Sequence, residues 1–209
     1  VGALDASHVA ALTTAGQIGN MTASTRNSLD STRFGAISTS AVASMTTSQV
    51  AGLDADHVSF FTTAQISNLS TAAVAAFTTA NIVGLEAADI AKLTTVQFKA
   101  IETADLAAMT PTQIAAITTD GIQAMSTAQA KALTADQVAS LTTAQISNLT
   151  TAAIAALTLG IGAKADIQAV KLNRIEGYQS DRFKRIVENI VQTEVKTTVG
   201  RAAMPALVD

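Results

Sequence analysis

FTTAQISNLSTAAVAAF, residues 61–77, returns with four changes as LTTAQISNLTTAAIAAL, residues 141–157. The changes are Phe61/Leu141, Ser70/Thr150, Val74/Ile154 and Phe77/Leu157, each a large apolar residue for another or one hydroxyl for another. The two copies stand 80 residues apart, which is ten units of eight. Aligned on the large apolar residue, the unit runs without a slip through Met21, Leu29, Ile37, Met45 and Leu53 to Leu141, Leu149 and Leu157. Leu4 and Leu12 belong to the same series, with one extra residue near Gly16.

Two further columns keep pace with this anchor. Asp, Ser, Thr or Glu follows it directly, as at Asp30, Ser38, Thr46, Thr62, Glu86 and on to Thr158. Five residues after it stands a second apolar residue, with Arg26 and the small Ala130 as exceptions. The position before that favours Gln, Asp, His or Asn. The consensus is Leu-Thr-Thr-Ala-Gln-Ile-x-x.

A single long helix cannot carry this pattern. At 100° per residue, an eight-residue step displaces each anchor by about 80°, so the apolar residues would circle the helix and leave no buried stripe. Neither does it match the heptad or eleven-residue period of a coiled coil. Strand is disfavoured by the Ala-rich spacer positions and the lack of period-2 alternation. Each octad reads instead as its own short helix. Thr62-x-x-Gln65 is a capping box, and Phe61 with Ile66 occupies the two positions of a hydrophobic staple. The remaining residues allow about one and a half to two turns before the next cap.

Helices this short do not hold alone in water, because nucleation outweighs the few bonds gained. They must stack, each burying its apolar pair against neighbours. The expected fold class is all-α: a solenoid of very short helices over residues 1–158, followed by a charged helical segment over 159–209. The number of octads per superhelical turn is left open by the sequence, two being one candidate. Replacing Thr142 with Pro is expected to be tolerable at a cap and costly mid-helix, by about 3 kcal/mol or more.

The octad resembles the Leu-Thr-Thr-Ala-Gln-Ile repeats of large bacterial secreted and surface proteins, adhesin-like ones among them. The resemblance spans roughly residues 4–158 and implies a module without implying an activity.

After Leu157 the register fails at LTLGIGAKADIQ, where Gly160 and Gly162 mark a break. Residues 164–209 hold 8 Lys/Arg and 6 Asp/Glu, a balance of +2, whereas residues 1–163 hold 5 and 10, a balance of −5. Helical spacing recurs at Ile167, Val170, Leu172 and Ile175, then at Phe183, Ile186, Val187, Ile190 and Val191, with Ser180-Asp181 as a cap between them. Such a segment can shield the last coil, dock head-to-tail onto another copy, or do both.

Composition narrows the function classes. Charged residues make up 14% of the chain, so the polar surface must come from Thr, Ser, Gln and Asn. A net charge of −3 disfavours nucleic acid as a partner. Zero cysteines exclude a disulfide scaffold or a thiolate site. No apolar run reaches the length of a membrane span, and the start at Val1 suggests a processed product.

The chemically suggestive residues have structural readings. Asp5 with His8, and Asp54 and Asp56 with His57, place His in the column where Gln normally sits, so each is read as a cap variant and not as a metal ligand set. Asp54-x-Asp56 lacks the Gly and Glu of a calcium loop. No Gly-x-Ser-x-Gly elbow surrounds a serine, and Leu159-Gly160-Ile161-Gly162 lacks what a phosphate loop needs. Arg26 beside Arg33 reads as a local irregularity near the extra residue. Asn148-Leu149-Thr150 has the form of a glycosylation site, a weak signal by itself. The sequence therefore assigns no catalytic, cofactor-binding or metal residue and no cofactor. It points to a non-enzymatic structural protein, extracellular or at the cell surface, that assembles with itself into a filament, layer or stalk. The alternative is a module that binds a glycan or other polymer through a Thr/Gln-rich ridge.

Overall fold

The computed structural model describes residues 5–10, 21 and 28–160, without the side chains of 158–160. The described residues form short helices and no strand. From Ser31 to Asn148 each octad contributes a helix of four to six residues, with one exception, so each runs between one turn and just under two. The exception is Ile82–Gly84, a 3-10 turn.

Local chemistry explains both ends of each helix. In Thr63–Asn68, the Thr62 side chain accepts from the Gln65 amide and Gln65 Oε1 accepts from the Thr62 amide at 2.8 Å. The same complete box closes at Thr46, Thr94, Thr110, Ser126, Thr134 and Thr142. The helix then ends where the next anchor amide donates to the carbonyl of the second apolar residue, as Leu69 does to Ile66 at 3.2 Å. Anchor and cap are both extended: Leu69 has φ −60° and ψ 138°, and Ser70 has φ −66° and ψ 155°. Two extended residues thus join one helix to the next.

Burial repeats with the same period. Anchor and second apolar residue are both buried, as with Phe61 and Ile66, Leu85 and Ile90, and Met109 and Ile114, and they share one continuous core. Ala130, small where its column is large, is fully buried too.

The helices pack on those three octads away: Thr39–Ala43 on Thr63–Asn68, Thr71–Val74 on Thr95–Ala100, Pro111–Ala115 on Ala135–Ser140, and Thr127–Ala132 on Thr151–Gly160. Side-chain hydrogen bonds between turns span 28 to 31 residues. A turn therefore takes between three and four octads, and not the two considered from sequence. Two segments of four to six helical residues would bring the extended joints onto the axis. Three or more leave room for a core two large side chains deep per octad.

The near-copies part company at their ends. Ser70 begins a helix that stops at Val74, whereas Thr151–Gly160 runs ten residues. Thr158, expected as the next cap, lies inside that helix. After Phe77 the chain supplies Asn81, whose Oδ1 holds the Thr78 amide at 2.8 Å. After Leu157 it supplies Thr-Leu-Gly-Ile, with no amide to close a box. The helical patterns expected at 167–191, and Arg26 with the extra residue near Gly16, lie outside the described residues.

Candidate functional site

The residues that converge most closely form an amide column along the seam between turns. Gln65 is 1% exposed, and its two ends do different work. Its Oε1 closes the capping box, while its Nε2 donates to Ile37 O at 2.7 Å and Phe34 O at 3.2 Å, in the preceding turn. Gln97 reaches Ile66 and Leu69, Gln113 reaches Ile82 and Leu85, and Gln129 reaches Phe98 and Ile101. Gln137 reaches Leu106 and Met109, and Gln145 reaches Ile114 and Ile117. Asn81, one methylene shorter, still reaches Val50 at 3.1 Å and Leu53 at 3.0 Å.

One side chain thereby satisfies a helix start in its own turn and carbonyls at a helix end in the previous one. Both are groups that a helix leaves without internal partners, and buried ones are expensive to leave unmade. The expectation that this column serves the capping box is met, but the inter-turn donation was missed. One signal was present in the sequence. A capping box accepts Glu as readily as Gln, yet no Glu stands in this column.

Titratable variants interrupt it. His57 is buried, with Nδ1 2.6 Å from Asp54 Oδ1 and Nε2 3.2 Å from Leu29 O. Phe34 and Phe60 flank it, with ring centres 6.1 Å and 5.3 Å from that of His57, and Phe61 packs edge-on against Phe34. Hydrogen bonds from the His57 amide and ring hold the Asp54 carboxyl below the usual carboxylate range. At the other pair, bonds from Ser7 and from the His8 amide and ring likewise lower the exposed Asp5. Asp54 is the N-cap of its helix, accepting from the His57 amide at 2.9 Å, and Asp5 accepts from the His8 amide at 3.0 Å. Asp56 lies in the first turn of the same helix as His57. Among the described residues no three His, Cys, Asp or Glu side chains gather as a metal site would need.

Buried Asp89 and Asp105 also stand in the column. Burial pushes both carboxyls up, with the neighbouring Glu86 and Glu102 charges adding to it. Elsewhere, Arg33 pairs loosely with Asp30, Nε to Oδ2 at 3.6 Å. Asn148 donates to Ala144 O at 2.8 Å.

The outer face is built from the cap residue and the two that follow. Thr46, Thr47 and Ser48, then Thr94 and Thr95, then Thr142 and Thr143 are exposed, whereas the column glutamines are buried. The ridge is therefore one of Thr and Ser interrupted by apolar residues such as Val96 and Ala144, without the column Gln. No described helix is long and apolar enough to cross a membrane.

A stack of near-identical short helices, packed on those three octads away and bonded to the preceding turn by most column glutamines, defines a repeat protein of the solenoid kind. The family model of the ALTTAQ repeat matches residues 98–135 and again 115–143. The same register of cap, burial and inter-turn bond extends well outside the matched residues. Neither the curated proteins nor the solved structures yield a match to the chain.

Proposed function

We propose that the chain is a non-enzymatic structural protein of the cell surface or extracellular space, whose coil forms the body of a filament, layer or adhesin stalk. The observation that supports this most directly is the seam. Gln97, Gln113, Gln129, Gln137 and Gln145 repeat one inter-turn bonding scheme, in alternate octads up to Gln129 and in consecutive octads from there to Gln145. A design in which each unit contacts only near neighbours extends by addition, which suits a length-setting role. The octad's resemblance to repeats of bacterial surface proteins supports the location. The balance of −5 over residues 1–163 against +2 over 164–209 supports head-to-tail contact between copies.

Negative-stain imaging of the purified chain over a range of protein and salt concentrations tests the proposal. Filaments or sheets with a regular repeat are the expected result. Dispersed 21 kDa monomers under every condition would refute assembly.

A second reading, recognition of a glycan or other polymer, is favoured by the exposed Thr46–Ser48, Thr94–Thr95 and Thr142–Thr143 ridge. It requires binding by monomers that is lost when Thr residues along that ridge are changed.

A further inference from the structure

We propose that the amide column makes the stack acid-tightened: the buried Asp89 and Asp105 can donate to the preceding turn when protonated and cannot when not. The polar members of the column stand before two demands, an amide to accept from and carbonyls of the preceding turn to donate to; Ala41, Ala73 and Gly121, in the same register, have no side chain for either. Gln and Asn meet both at any pH. A carboxylate can meet at most the first, and a neutral imidazole keeps a lone pair at one nitrogen.

The geometry at His57 shows the demand directly. Both ring nitrogens face acceptors, the Asp54 carboxylate at 2.6 Å and the Leu29 carbonyl at 3.2 Å. A neutral ring donates at one of them only. Asp54 and Asp56 lie in its own octad, and Asp30 and Arg33 lie on the strip it faces. Helix Ala55–Ser59 packs on Ile82–Gly84, which has no titratable side chain.

Asp89 is 2% exposed and one oxygen accepts from the Glu86 amide at 3.1 Å. By register it stands opposite Val58 and Phe61, as Asn81, of equal side-chain length, stands opposite the Val50 and Leu53 carbonyls to which it donates. The helices packed on it, Thr63–Asn68 and Pro111–Ala115, carry no titratable group, while Glu86 and Lys92 lie in its own octad. Asp105 is 4% exposed, and while its backbone carbonyl accepts from the Met109 amide, its carboxyl has no hydrogen-bond or ion-pair partner among the described residues. By register it faces Val74 and Phe77. Glu102 precedes it, and of the elements packed on it Thr127–Ala132 brings the exposed Lys131 while Ile82–Gly84 brings no charge.

The sign follows from linkage. Both buried carboxyls are raised above their ordinary range. Their contribution is therefore fully present below the ordinary carboxylate pKa and is lost as pH rises through the folded value.

The test is urea unfolding of the full chain, followed by far-UV circular dichroism, between about pH 7.5 and about pH 4.5, a window above the range in which lowered carboxyls such as Asp54 titrate. The wild-type midpoint is expected to rise as pH falls. The double variant Asp89→Asn, Asp105→Asn places natural column residues at both positions. It is expected to exceed wild type at the neutral end and to respond to pH less than half as strongly. An equal pH response in the two proteins would overturn the proposal. So would an Asp105→Asn single variant less stable than wild type at neutral pH.

Discussion

Gln137→Glu keeps the shape of the side chain and the acceptor for the Thr134 amide at 2.9 Å. It removes both amide hydrogens that serve Leu106 O at 2.9 Å and Met109 O at 2.6 Å. The Leu106 carbonyl keeps the Met109 amide at 3.3 Å. The Met109 carbonyl keeps no other partner among the described residues, and a carboxylate 2% exposed now faces both. A buried acceptor left unmade costs about 1–3 kcal/mol, so with one carbonyl fully orphaned and one half-served the loss at neutral pH should be about 2–4 kcal/mol. Thr134→Ala, which removes only the cap acceptor, should cost about 1 kcal/mol. Urea titration of both variants at neutral pH measures the difference. The Gln137→Glu deficit should also shrink on acidification, as the protonated acid regains one donor. A loss below about 0.5 kcal/mol for Gln137→Glu would show that the column acts as a capping box alone, since Glu serves that box as well as Gln.

Other perturbations separate local from inter-turn effects. A Cβ on Gly84 would lie 2.8 Å from the Ala55 carbonyl carbon and closer still to its oxygen, so Gly84→Ala should lower stability by about 3 kcal/mol in chemical unfolding. Thr142→Pro fits the cap backbone, φ −73°, but loses the amide bond to Gln145 at 2.8 Å and the hydroxyl that accepts from Gln145. It should cost about 2 kcal/mol, whereas Thr143→Pro, at the first helical position that Pro111 already occupies, should be nearly neutral. A reversed order in thermal unfolding would refute the cap assignment. Ile114→Ala, at a fully buried staple position, should cost about 2–5 kcal/mol. Val96→Lys, at a position 65% exposed, should stay within about 0.5 kcal/mol.

Several features were legible because they depend on residues three to five apart. The Thr62–Gln65 box and the Phe61–Ile66 staple are such pairs, and the structure places both as the octad predicts. His8 and His57 meet half of that expectation: each amide bonds its Asp cap, while the ring bonds the Asp carboxyl and does not close the box at the cap amide. The exposed ridge was half legible. Its Thr and Ser are outside, but Gln polarity does not reveal that its amide is needed 28 residues away.

By itself, then, the sequence determined the unit: an eight-residue period, a capped helix too short to stand alone, and an apolar pair that must be buried. These follow from bonding geometry within one helical turn. Only the tertiary structure decided what the units do to each other. It set three to four octads per turn, the second hydrogen bond of the column glutamines from Gln65 to Gln145, and the close approach of Gly84 to Ala55. It also separated the near-copies, since the helix from Thr71 stops at Val74 while its counterpart continues to Gly160. The physical reason is distance along the chain. Residues 24 to 31 apart meet by the pitch of the coil, and that pitch comes from summed packing of every turn on the next.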